Sequence, residues 1–99
     1  MTTCLGYQQV ATTDTVQTAS AFTIPTGTNH VMVQADQENA RFTLDGDVPT
    51  AGATGNGELL TEGLAPIQIA VENFNNIKFV RAAGSNGVLN VHYYGGRAI

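Results

Sequence analysis

The chain has 99 residues and a mass of 10.4 kDa; 42% of its residues are apolar and only 12% are charged. Four Lys/Arg against eight Asp/Glu give a net charge of −4, so no basic face exists to neutralise phosphates, which excludes nucleic acid as a partner. No apolar run reaches the ~18–20 residues of a membrane span, no basic-then-apolar leader opens the chain, and its one cysteine, Cys4, has no partner for an internal disulfide.

A single domain is expected at this length, over 1–99, with a short N-terminal arm at 1–6 and a C-terminal tail at 95–99. Alternation of period two begins at Tyr7, and no stretch sustains a helical period. The spacing predicts strands over 7–12, 17–24, 30–36, 39–45, 57–61, 65–71, 76–83 and 87–94. Val31, Val33 and Ala35 face one way in the third, and Phe42 and Leu44 in the fourth, with Arg41 and Thr43 outward. Ile67, Ile69 and Val71 form the inner row of the sixth, and Leu89, Val91 and Tyr93 that of the last. Turn signals separate these runs: Pro25–Asn29, Asp45-Gly46, Asn56-Gly57, Asn73–Asn76 and Gly84–Gly87. The reading is an all-β, compact antiparallel β-sandwich of about eight strands, jelly-roll-like, with an up-and-down barrel as the other closure. The long irregular stretch from Asp47 to Gly57 carries small residues and is shaped either to lie against something or to run free as a surface loop.

Catalytic and metal chemistry find little support. His30 and His92 stand far apart in the chain without Cys or His neighbours at ligand spacing, and each reads as a plain polar strand position. Asp45-Gly-Asp47 lacks the closing Glu of a calcium loop and reads as Asx-turn chemistry, with Arg41 near enough to brace the corner. Cys4 has no basic neighbour to lower its thiol pKa, and Ser20 and Ser85 lie in no nucleophile motif. No enzyme activity, no cofactor and no metal site is therefore expected.

What remains is surface. Thirteen Thr, two Ser, eight Asn and six Gln supply polarity where a free-standing domain usually carries mixed charge. The shortage of charge falls on outward-facing strand rows, where Met32, Val80, Val88 and Tyr94 are larger and more apolar than solvent requires. Leu5 and Tyr7 near the start and Ile99 at the end add apolar residues that a loose tail does not need. These seven residues are the candidate interface.

The runs Phe22-Thr-Ile-Pro-Thr-Gly-Thr-Asn-His-Val-Met-Val-Gln-Ala35, Arg41-Phe-Thr-Leu-Asp-Gly-Asp-Val-Pro-Thr-Ala51 and Val88-Leu-Asn-Val-His-Tyr-Tyr94 resemble small β-sandwich virion proteins of tailed bacteriophages. Within that group the chain is most similar to head decoration, or cement, proteins. The resemblance covers roughly residues 18–94, and its most specific part is the corner holding Arg41, Asp45, Asp47 and Pro49. It implies a structural virion protein without shared catalytic residues. Such a protein assembles in the host cytoplasm, sits on the capsid surface as a homotrimer, and clamps the major capsid protein. Similar sandwiches serve in necks, tails and fibre bases, and a glycan-binding virion sandwich is the alternative of a different class.

Overall fold

The computed structural model describes residues 3–51, 55–82 and 84–95. Eight strands follow in chain order: β1 (Thr3–Thr12), β2 (Gln17–Thr18), β3 (Thr28–Asp36), β4 (Ala40–Thr43), β5 (Glu58–Leu60), β6 (Ile67–Ala70), β7 (Lys78–Arg81) and β8 (Gly87–Gly95). They form two four-stranded sheets, β1-β8-β3-β6 (sheet A) and β2-β7-β4-β5 (sheet B). All the pairings are antiparallel. This order is the jelly roll: the chain crosses from one sheet to the other at every step except β4 to β5, which are neighbours in sheet B, and it does not close as an up-and-down barrel.

Burial follows the alternation. Val31, Val33 and Ala35 of β3, Ile69 of β6 and Leu89, Val91 and Tyr93 of β8 meet Ala40 and Phe42 of β4, Leu60 of β5 and Phe79 of β7. Phe22 closes the middle of this core, its ring centroid 4.9 Å from Phe74 and 5.3 Å from Phe79. Both pairs are tilted, at 56° and 46°, and lie within the centroid range of favourable aromatic contacts.

Three segments differ from the sequence expectation. The segment read as an arm is strand from Thr3, and Gly95, placed in the tail, is the residue opposite it in β8. The strand expected over 17–24 pairs only at Gln17 and Thr18, then enters a 3-10 turn at Ala19–Ala21. There the Thr18 hydroxyl accepts from the Ser20 N–H, the local bond by which Thr competes with a ladder. The strand expected to run through Val71 stops at Ala70, where helix α1 (Val71–Phe74) turns Phe74 into the core at 0% exposure. A single turn of helix leaves no 3.6-residue period to read.

Gln8, on the inner side of β1, ties the end of the sandwich together. Its Oε1 accepts from the Thr23 N–H and from Tyr93 Oη, both at 2.9 Å, and its Nε2 donates to the Ala21 carbonyl. Burial pushes the Tyr93 phenol up to about 12 from its ordinary 10. A raised pKa in the folded state means that stability is fully present below pH 10, where both states hold the proton. It falls as pH rises from 10 toward 12, because the unfolded chain ionises first. Denaturant midpoints measured by circular dichroism at pH 8 and pH 11.5 should therefore differ, and Tyr93→Phe should shrink that difference. An unchanged difference in the variant contradicts the assignment to Tyr93.

Candidate functional site

Antiparallel register places alternate residues of sheet A on its outer face, away from the core. From β1 these are Tyr7, Gln9 and Ala11, paired with His92, Asn90 and Val88 of β8. From β3 they are His30, Met32, Gln34 and Asp36, opposite Tyr94, His92, Asn90 and Val88. Ala70 and Gln68 of β6 complete the first two rows. Asp36, at one end, is the only one of these residues with a carboxylate, and none is Lys or Arg.

The first two rows of the face, at the end away from Asp36, hold a cluster of rings. Tyr7 and His92 lie 4.7 Å apart between centroids, tilted by 42°, and His30 stacks on Tyr94 at 5.2 Å and 5°. His92 and Tyr94 are 6.5 Å apart. Met32, the register partner of His92, lies beside them. Asn90 organises the adjoining row: its Oδ1 accepts from Tyr7 Oη at 2.8 Å and from Gln9 Nε2 at 3.0 Å. Two amides and a phenol thus bond one another across the face, with the two imidazoles stacked or tilted against the tyrosine rings beside them.

Of the expected interface residues, Tyr7, Met32, Val88 and Tyr94 come together here, with Tyr7 55% exposed. Leu5, 39% exposed, sits at the bulge between Cys4 and Gly6 on the same strand. Ile99 lies outside the described residues. Val80 does not belong to the face. It is on β7 of the opposite sheet, is 1% exposed, and pairs with Arg41, which is buried as well.

The reason for that correction is the loop after β4. Pro49 is fully buried, and Arg41 Nη1 donates to the Gly57 carbonyl at 3.0 Å. Gly57 adopts φ +111°, and a Cβ there would meet Pro49 Cβ at 3.0 Å and the Phe42 carbonyl oxygen at 3.3 Å. Only glycine allows the chain to return this closely. The loop is laced by Thr50 N–H to the Asn56 carbonyl and Asn56 Nδ2 to the Val48 carbonyl. Among the described residues of this stretch, Pro49 and Gly57 return beside Arg41 while Val48 stays exposed, so Arg41, expected outward, is covered.

The corner itself matches the Asx-turn reading: Asp45 Oδ1 accepts from the Asp47 N–H at 3.1 Å, the Thr43 hydroxyl donates to the Asp47 carbonyl, and Lys78 Nζ donates to the Gly46 carbonyl. Among the described residues no group of three or more His, Cys, Asp or Glu is placed to hold a metal ion. A hollow of about 310 Å³ beside the corner is lined by Thr43, Asp45, Asp47, Asn56 and Glu58.

His30 and His92, read from the sequence as isolated polar positions, belong to the ring cluster. Each stands two residues from another member of the face, Met32 and Tyr94, which is the same-side spacing of a strand. The pairing of β3 with β8 that joins them spans most of the chain. Comparison with protein-family models, curated proteins and solved structures gives no match to this chain.

Proposed function

We propose that this protein is a structural component of a virion, a decoration protein that docks on the assembled major capsid lattice through the outer face of sheet A. The observation that carries the reading is the four-stranded face with rings and Met32 toward one end and a single carboxylate, Asp36, at the other. Interface cores are enriched in Tyr and Met and depleted of Lys, Glu and Asp, whereas a solvated surface normally carries charges of both signs. The jelly roll is an architecture of capsid and lectin domains alike, so the face and not the fold argues for the role. Binding to the assembled shell and not to free subunits stabilises the shell by mass action, and many symmetric copies make weak single contacts sufficient.

The test is to mix purified protein with expanded shells that lack it and to sediment them. Saturable co-sedimentation and a raised melting temperature of the shells are expected; neither effect at any concentration overturns the reading. The contact of Tyr7, His92 and Tyr94 rings also offers a surface on which a sugar can stack. Specific signals on a glycan array, with no binding to shells, would transfer the face to that second reading.

A further inference from the structure

Three of the four sheet edges are blunted in the ways proteins use to prevent edge pairing. β2 has two residues and runs into a 3-10 turn, β5 has three and carries Glu58, and β6 has four and follows Pro66. β1 has ten residues, Thr3–Thr12, with no charge and no proline. Its bulge falls between Cys4 and Gly6, so the register from Gly6 to Thr12 is regular.

The direction of its free backbone groups follows from one bond. Gln17 Nε2 donates to the Ala11 carbonyl at 2.8 Å, so that carbonyl points away from β8. In an antiparallel ladder both backbone groups of a residue face the same side and the side alternates. Tyr7 and Gln9 therefore present an N–H and a C=O each to the open edge. Among the described residues no backbone bond outside the strand ladders is made to either.

We infer that β1 pairs with β1 of a second copy, antiparallel about a twofold axis at Gln8, with Tyr7 of each chain opposite Gln9 of the other. This register uses the unpartnered donors and acceptors of Tyr7 and Gln9 in two reciprocal pairs and requires nothing from the Ala11 carbonyl. It is self-complementary, as a twofold interface must be, and because the strand is uncharged it brings no like charges together. The side chains of Tyr7 and Gln9 lie on the outer face of sheet A, so the pairing joins two such faces, each with Asp36 as its one carboxylate, into one continuous surface. The resemblance to decoration proteins implies three copies; this edge gives two. The pairing stands whether or not the face docks on a shell.

Light scattering on the eluting full-length protein tests it across a concentration series. A mass twice the 10.4 kDa chain is expected. Gln9→Pro should reduce it to one chain with the circular dichroism spectrum kept, since the Gln9 N–H points to the open edge and proline is tolerated there. Independently, Tyr7→Cys and Gln9→Cys proteins, each also carrying Cys4→Ser, should form a disulfide-linked dimer at least ten-fold faster when mixed than either alone. A single-chain mass at every concentration overturns the inference and leaves the edge to a strand of another protein. A threefold mass, or cross-linking no faster in the mixture, overturns it equally.

Discussion

Phe79→Ala should lower the unfolding free energy by about 3–5 kcal/mol, the range for truncating a fully buried phenylalanine. Phe79 is 0% exposed, lies on β7 between Phe42 of β4 and Gln17 of β2, and packs its ring on Phe22. The core around it also draws Val33, Ile69 and Leu89 from sheet A, and strand residues held in ladders of both sheets cannot collapse far into the space a phenyl ring leaves. Domains of this size hold about 5–15 kcal/mol in total, and the variant should lose a large part of that. Chemical denaturation followed by circular dichroism measures it as a lower midpoint at constant slope. Leu59→Ala, at a position 46% exposed on β5, should shift the same midpoint by roughly 0.5 kcal/mol or less. Equal losses in the two variants contradict the core described here.

His92→Glu should weaken docking on assembled shells by about 100-fold while leaving the melting temperature of the free protein within a few degrees. The imidazole is half-exposed among Tyr7, Tyr94 and Met32, where a carboxylate reaches water in the free protein. In a covered face that carboxylate loses its water without gaining a partner, and an unpaired buried charge costs about 2–5 kcal/mol. Leu59→Glu, which adds the same charge to the opposite sheet, should leave docking unchanged. Co-sedimentation isotherms of the two variants beside the parent protein make the comparison. Undiminished binding by His92→Glu contradicts the assignment of the face.

The strands were legible in the sequence because a sandwich buries one side of each. Leu89, Val91 and Tyr93 alternate with Asn90 and His92, and Val31, Val33 and Ala35 alternate with Met32 and Gln34, the period of two that a strand with one buried side imposes. What local pattern does not encode is which strand lies beside which. The ring cluster exists because β8 runs between β1 and β3, pairings that bring Tyr7 to His92 and His30 to Tyr94. Val80 misled for a related reason. Its alternation is outward, as the sequence says, but outward from sheet B on the side where Pro49 and Gly57 return over Arg41. Period two separates the sides of a strand; it does not tell a side covered by a loop from a side facing solvent. Helix α1 is too short to carry a period, and the two ladder pairs of β2 too few to mark where the strand ends.

The low charge of the chain has a place in the structure. Apart from Asp36, the outer rows of sheet A hold only amides, imidazoles, phenols, Met, Val and Ala, while sheet B carries Arg41 and Lys78 on its outer side and a loop folded against it. Hydroxyl-radical footprinting of the protein, free and bound to shells, examines that asymmetry residue by residue. Binding should protect Met32, Tyr7 and Tyr94 several-fold and leave Val48 and Leu59 as reactive as in the free protein. Protection of Val48 and Leu59 with Met32 and Tyr7 unchanged would contradict the central claim that the uncharged face is the surface this protein uses.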